Sequence, residues 1–388
     1  MRSTVIIVHF AEDVPIDEGY RPLRYGRLAI RLRELGFDVV RVSPSFSHFR
    51  REQRAIGEFE SAEGTHVVIE TIGYEANLGA DRAKSIGHFI AGTRRYLSTV
   101  DLDDAVLVVG VPPTGAVAAV RSVVGKSTPL IADIRDLWPD AMAVGRSPRL
   151  EEPFRLIGRV TSREVLLADA VVAVTETMAA WAPKRANPVT IPIGVPERER
   201  STTSPTGGLR ACFLSNHTHG FDFDTVLESW REFAATTDEE VSLDFIGAEP
   251  QTPIAQKLLK AEPTIRSLGR KLPHELPELL ASYDLGLAPS KPEWSYSVGN
   301  KIFDYLASGL FVLHSMFDGV SDEIEEDRLG QLLPLTETAW TESFSAAHEA
   351  RATSRSERSA RIDRAEARYG VDAVCTRFAG IISELSER

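Results

Sequence analysis

Short apolar runs alternate with amphipathic stretches along almost the whole chain. STVIIVHF (3–10), FDVVRVS (37–43), HVVIETI (66–72), AVLVVGV (105–111), PLIADIRD (129–136), AVVAVTE (170–176) and PVTIPIGV (188–195) are too short for ordinary helices and rich in β-branched residues, so they read as buried strands. LRACFLS (209–215), VSLDFIG (241–247), TIRSLG (264–269), DLGLAPS (284–290) and LFVLHS (310–315) repeat the pattern. Strands alternating with helices predict largely parallel sheets covered on both faces. Between the two series lies PERERSTTSPTGG (196–208), with the composition of a linker. The expectation is an α/β protein of two doubly wound, Rossmann-like domains, 1–195 and 209–369, with the carboxyl ends of both sheets facing a central cleft. The charged run SRSERSARIDRAEAR (354–368) reads as a solvated helix. A stripe of Val371, Val374, Phe378, Ile381, Ile382 and Leu385 gives residues 370–388 an apolar helix face, expected to pack back on the first domain.

Composition narrows the class. With 388 residues, 43% of them hydrophobic and 26% charged, the chain suits two ordinary soluble domains. No basic and apolar leader precedes the first strand, and no apolar run approaches the ~18 to 20 residues of a membrane span, so a cytoplasmic location is expected. Cys212 and Cys375 each sit inside an apolar pattern and read as buried thiols. A net charge of −12 argues against nucleic acid as partner and favours small-molecule chemistry. The charge is uneven: RPLRYGRLAIRLREL (21–35) carries five arginines and one glutamate. Tyr25, Leu28, Leu32 and Leu35 form one helical stripe with Arg24, Arg27 and Arg31 beside it. That face is either solvated or turned to phosphates or anionic lipid headgroups.

Several catalytic signatures are absent. No GxGxxG follows the first strand of either half, and GKST (125–128) has Val120 where a phosphate loop needs glycine and leads into a strand. GxSxG and HExxH do not occur, and His217 and His219 read as a loop without metal. The remaining stretch is SYSVGNKIFDYLASGLFVLHS (295–315), a helix with Asn300 as N-cap and Gly309 just past its end, followed by a buried strand. A helix start offers backbone donors and roughly half a positive charge, so Val298, Gly299 and Asn300 can face a pyrophosphate. Lys301 adds a full charge, and Asp304, one turn along, is spaced to accept ribose hydroxyls. A plain capped amphipathic helix has the same spacing.

DLGLAPSKPEWSYSVGNKIFDYLASGLFVL (284–313) resembles the donor-site segment of the family-4 retaining glycosyltransferases of the GT-B fold. IADIRDLWPDAMAVG (131–145), LLADAVVAVTETMAAW (166–181), DFIGAEP (244–250), SLGRKLPHELPELLASYDLGLAPS (267–290) and GVSDEIEEDRLGQLL (319–333) are similar to family segments in the same order. RDLWP, and NK before the acidic helix, are most similar to the bacterial surface-polysaccharide branch. The resemblance implies retaining transfer of a hexosyl or N-acetylhexosaminyl group from a nucleotide-diphosphate sugar, most simply UDP-linked, to a glycan, glycolipid or lipid-linked acceptor. No cofactor and no metal are required, since Lys301 and the helix start stabilise the leaving diphosphate. The resemblance further places the base against the backbone around Arg270 and Leu272, with the Arg270 side chain near phosphate and Gly247 of GAEP lining the same pocket. In the first domain it implicates Arg135 and Asp136, the latter orienting a hydroxyl or capping the turn before Trp138. It also implicates the first strand-to-helix loop with Gly19 and Arg21, and Arg82, Ser85 and His88 on the acceptor side. Lipid-linked acceptors would bring residues 21–35 to the inner membrane face. The chain departs from the family in replacing its spaced glutamate pair by Tyr296 and Asp304, and in lacking a basic pair in FLSNHTHGFDFD (213–224). Those departures leave room for an altered donor preference or for a noncatalytic GT-B scaffold that binds nucleotide or glycan; a sugar-nucleotide isomerase on the same fold is a further alternative.

Overall fold

The computed structural model describes residues 3–76, 79–140, 148–196, 201, 203–215, 220–272, 274–294, 299–316 and 319–387. The chain divides into two compact units, Met1–Pro192 with Asp372–Arg388, and Ile193–Val371. The boundary precedes the expected linker, so 196–208 goes with the second unit, and Val195 is buried there with its N–H on the Tyr369 carbonyl at 2.6 Å.

Unit 1 is built on β1 (Thr4–Val8), β2 (Asp38–Pro44), β5 (Gly57–Ser61), β6 (Gly64–Ile69), β7 (Ala105–Val111), β8 (Leu130–Ile134), β9 (Ala170–Ala173) and β10 (Val189–Thr190). These make one sheet in the order β10-β9-β8-β7-β1-β2-β6-β5, parallel except for the antiparallel β5–β6 edge. β3 (Phe46–Ser47) and β4 (Glu52–Gln53) form a separate two-stranded ribbon. Every residue of β7 is buried, as a central strand covered on both faces requires. β5 carries the polar sequence GEFES and is half-exposed, so no apolar run announces it. Helices α1 (Arg24–Glu34), α2 (Ala80–Leu97), α3 (Ala116–Val124), α4 (Pro148–Glu164) and α5 (Glu176–Trp181) follow strands in the doubly wound manner. α1 comes so close to β7 that a Cβ on Gly110 would stand 2.7 Å from the Tyr25 hydroxyl.

Two of the three arginines beside the apolar stripe of α1 are turned inward. Tyr25, Leu28 and Leu32 are buried as expected, but so are Arg24 and Arg27. Arg24 makes a two-pronged bond to Asp133 at 2.9 Å on each arm, donates to the carbonyls of Ile191 and Pro192, and lies 5.2 Å over the Phe378 ring. Arg27 donates to the Pro22 carbonyl, while Arg31 stays at the surface and pairs with Glu34 on the same helix. Leu35, counted in the apolar stripe, is 49% exposed because it ends the helix. The terminal helix α13 (Val371–Ser386) buries Val374, Phe378, Ile382 and Leu385, and Arg377 reaches the Thr190 carbonyl at 2.9 Å.

Unit 2 holds a second parallel sheet, β13-β12-β11-β14-β15-β16, from β11 (Arg210–Ser215), β12 (Ser242–Gly247), β13 (Ile265–Ser267), β14 (Leu285–Ala288), β15 (Phe311–His314) and β16 (Gly330–Leu332). Its helices are α6 (Phe223–Ala234), α7 (Pro253–Ala261), α8 (Leu276–Ala281), α9 (Asn300–Ala307), α10 (Gly319–Glu326), α11 (Glu337–Ser356) and α12 (Arg358–Tyr369). One core cluster gathers Tyr283, Ile302, Tyr305 and Leu306, and another Phe213, Trp230, Phe233, Trp340 and Phe344.

The run 354–368 is not a solvated helix either. Arg355 pairs with Asp284 at 2.7 and 2.9 Å, Arg358 donates to the Ser308 and Tyr283 carbonyls, and Arg361, 4% exposed, donates to that of Gly309. The cause lies in Gly309, which ends α9 at a φ of +67° and leaves terminal carbonyls needing donors. No helix among the described residues is long and apolar enough to cross a membrane, and Cys212 and Cys375 are buried free thiols.

Candidate functional site

In unit 2 the strand order reverses between β11 and β14, which pair only at Ala211–Leu285 and Cys212–Gly286 before separating. Open α/β sheets bind ligands outside the carboxyl ends of their strands at such a point. Tyr305 of α9 holds the opening: its hydroxyl accepts the Leu214 N–H at 2.7 Å and donates to the Leu287 carbonyl at 3.3 Å. The ring fits because residue 286 is glycine, where any Cβ would collide with it.

α9 begins at this point, with two differences from the sequence expectation. Gly299, extended at φ −69° and ψ 155°, is the N-cap, no side chain caps the helix, and Asn300 is its exposed first residue. Lys301 does not extend into solvent. Its Nζ is buried with no hydrogen-bond partner among the described residues, 3.3 Å from the centroid of Phe221 and 4.2 Å from that of Phe213. Burial pushes the amine well below its ordinary value. Asp304 is 4% exposed and engaged inside the fold, not open to solvent. Val298, Tyr296, His217 and His219 lie outside the described residues.

The other donor-side candidates fall in two loops. Gly247, at a φ of +109°, ends β12 and donates its N–H to the Gly269 carbonyl at 2.8 Å, which joins the GAEP loop to the segment before Arg270. Arg270 is exposed, as is Leu272 at 59%. The Leu272 N–H, a candidate for reading a base, is already bonded to the Glu275 carboxylate at 2.6 Å. The end of β15 carries His314, which no sequence pattern singled out. It is fully buried, neither ring nitrogen has a partner, and burial lowers its pKa to about 4.

The corresponding reversal in unit 1, between β1 and β7, is closed by the protein's own charges. The Glu12 carboxylate accepts the Tyr25 N–H at 3.1 Å at the start of α1, the place an external anion would take. Arg41, buried in β2, contacts Glu12 at 3.5 Å, pairs with Glu63, and meets His9 Nε2 at 3.1 Å and the Tyr20 hydroxyl at 3.2 Å. Arg135 lies 4.5 Å over the Tyr25 ring and 3.6 Å from Glu12, committed to this network. Burial, followed by the charge of Arg41, drives the His9 pKa well down. The start of α3 is filled likewise, by Glu164 accepting the Gly115 N–H at 2.9 Å.

Of the remaining unit 1 candidates, Asp136 is open to solvent at the mouth of a recess whose protein mass raises its pKa, a shift only partly opposed by the Leu137 N–H it accepts and by the charges of Arg82 and Arg135. Gly19 is exposed at a φ of +59° in the turn closed by Tyr20 N–H on the Asp17 carbonyl. Arg21 is half-buried and engaged, His88 is exposed on α2, and Ser85 is buried. The structure therefore groups Gly299, Asn300, Lys301 and Asp304 on one helix and joins Gly247 to the loop of Arg270, while Gly19, Arg21, Arg135, Asp136 and His88 stay dispersed over unit 1. Sequence reasoning missed Glu12, Arg41 and Glu63, although one arginine inside the apolar run FDVVRVS was a legible signal. Among the described residues no cluster of three or more His, Cys, Asp or Glu side chains could hold a metal ion.

Residues 210–349 match the family described as glycosyl transferases group 1. No curated protein matches the chain in sequence. Among solved structures, sucrose-phosphate synthase from Thermosynechococcus elongatus superposes with a TM-score of 0.72 at 13% identity, covering 99% of each chain. An α,α-trehalose-phosphate synthase (UDP-forming) from Burkholderia vietnamiensis gives 0.66 at 13%, covering 100% of each. A UDP-N-acetylglucosamine 2-epimerase described from Listeria monocytogenes gives 0.61 at 13%, covering 100% of this chain and 98% of its own. The fold is GT-B, and residues 210–349 are similar in sequence to group 1 glycosyl transferases.

Proposed function

We propose that the protein is a retaining, family-4 glycosyltransferase that moves a hexosyl or N-acetylhexosaminyl group from a nucleotide-diphosphate sugar, most simply UDP-linked, to a glycan, glycolipid or lipid-linked acceptor in surface-polysaccharide synthesis. One observation carries this reading: the group 1 match over 210–349 contains the strand-order reversal of unit 2 and, beside it, a helix start with an unpartnered buried amine. A buried ionisable group without a partner is expensive to keep unless an occasional partner supplies the missing charge.

The diphosphate docks at Gly299 and Asn300, where backbone donors and the helix dipole favour an anion. Lys301, on its flexible stem, leaves the faces of Phe221 and Phe213 for the phosphates. As the bond from the anomeric carbon to the diphosphate oxygen breaks, Lys301 and the helix start stabilise the departing charge. The acceptor oxygen bonds the anomeric carbon on the face the diphosphate leaves, and its proton passes to a phosphate oxygen of the leaving group. Asp304 holds the ribose, the loops of Gly247 and Arg270 flank the nucleotide, and Asp136 orients a hydroxyl. No step needs a metal.

The test is turnover of UDP-glucose and UDP-N-acetylglucosamine with a panel of glycan and lipid-linked acceptors, with the product anomer read by NMR. Expected are UDP release that depends on acceptor, a product of unchanged anomeric configuration, and a rate unaffected by EDTA. Conversion of the sugar nucleotide without acceptor would identify an isomerase instead, and an inverted product would overturn the retaining assignment.

A further inference from the structure

Unit 1 contains a cavity of about 830 Å³, within the range of small-molecule sites, lined in part by Arg82, which the family resemblance put on the acceptor side. Phe46 and Tyr74, with ring centroids 4.7 Å apart, form its aromatic side, and Gly79 and Ala80 at the start of α2 lie on its rim. Two lining guanidiniums share one ring: Arg51 lies 5.2 Å and Arg82 5.8 Å from the centroid of Tyr74. Arg82 also lies 5.0 Å over Trp138, and the Tyr74 hydroxyl meets His48 Nδ1 at 2.8 Å.

Two cations gathered on one aromatic face gain from the ring and repel each other. Burial and then the charges of Arg82 and Arg51 bring His48 down to about 4; burial also lowers Arg82, with Tyr74 and Asp136 opposing that shift and Arg51 adding a smaller push in the same direction. Of the acidic residues on the lining, Asp81 pairs with Lys84 at 3.1 Å. Arg51 moreover sits at a φ of +61°, a conformation costly for a side-chain-bearing residue and concentrated at ligand-binding positions.

We infer that this cavity binds the acceptor through an oxyanion, a phosphoryl or carboxylate group on a saccharide that Arg51 and Arg82 grip together while the sugar lies along the Phe46 and Tyr74 side. Guanidinium forks match both groups, and preorganisation on the ring lowers the entropy lost on binding. The word acceptor rests on the glycosyl transfer reading; the anion site does not.

Calorimetric titration of the full chain with glucose 6-phosphate, glucuronate, glucose and inorganic phosphate, with UDP titrated separately, tests the inference. Glucose 6-phosphate or glucuronate should bind, whichever is tighter naming the group, and glucose should bind at least about tenfold more weakly, the ~1.4 kcal/mol of a charge-assisted contact. Arg51→Gln, at an exposed position, should weaken the anionic sugar about tenfold, and Arg82→Lys, which keeps the charge and loses the fork, by a smaller factor, while UDP affinity stays within about twofold. No binding of either anionic sugar, equal binding of glucose, or affinity unchanged in both variants would overturn it. UDP binding without sugar binding sinks this inference and leaves the transfer reading intact; sugar binding without any nucleotide does the reverse.

Discussion

The two strand-order reversals are built alike and charged differently. Each sets a helix tyrosine against a strand glycine, Tyr25 on Gly110 in unit 1 and Tyr305 on Gly286 in unit 2. In unit 1 the charges around that contact are paired with opposite charges, although His9 Nδ1, Arg41 Nε and the Tyr25 hydroxyl have no hydrogen-bond partner among the described residues: Arg24 meets Asp133, Arg41 meets Glu12 and Glu63, and Glu12 fills the start of α1. In unit 2 the helix start has no side-chain cap, and the amine beside it has only ring faces for company. The same architectural position is thus a sealed structural joint in one unit and an electrostatically incomplete one in the other. Incompleteness at a strand-order reversal distinguishes a site from a scaffold more sharply than the presence of charge does.

If the unit 1 joint is structural, breaking it should have the largest effect. Asp133→Ala strands the buried Arg24 guanidinium, and unfolding in urea should show a loss of roughly 3–5 kcal/mol, the penalty for removing one partner of a buried pair. A loss under ~1 kcal/mol would mean that the carbonyls of Ile191 and Pro192 suffice for Arg24, and would weaken the contrast.

The next effect concerns His314. The unfolded chain protonates this residue near its ordinary 6.5, the folded chain only near 4, so its contribution to stability is whole above pH 6.5 and lost as the pH falls toward 4. The loss at pH 4 is on the order of 3 kcal/mol. Stability measured at pH 7 and pH 4 should differ less in His314→Leu than in the wild type by that order; equal differences would show that the ring is not held neutral.

Much of this was legible in the sequence, because alternating apolar runs report directly on parallel strands. All the strands drawn from such runs are present; those missed are β5 with GEFES and the two-residue ribbon, which have little apolar content to read, and β16, whose three residues GQL make too short a run to show a period. The donor helix was placed to within a residue, since Gly309 and the apolar stripe fix its end and its buried face. What the sequence could not give was the state of each charge. Arg24, Arg358 and Arg361 look like solvated helix arginines, but the carbonyls and carboxylates that bury them come from positions far along the chain. Lys301 looked exposed for the same reason, because its aromatic neighbours, Phe213 and Phe221, lie about 80 residues earlier.

The central claim is that Lys301 is held without a partner for the donor diphosphate, and the smallest stability effect tests it most directly. Lys301→Met should raise stability by about 1 kcal/mol at pH 7, where the depressed amine otherwise favours the protonated, unfolded chain. Calorimetric titration of UDP into both proteins without metal should then show binding to the wild type, and binding at least about tenfold weaker to the more stable variant. UDP bound equally by both, or by neither, would contradict the account.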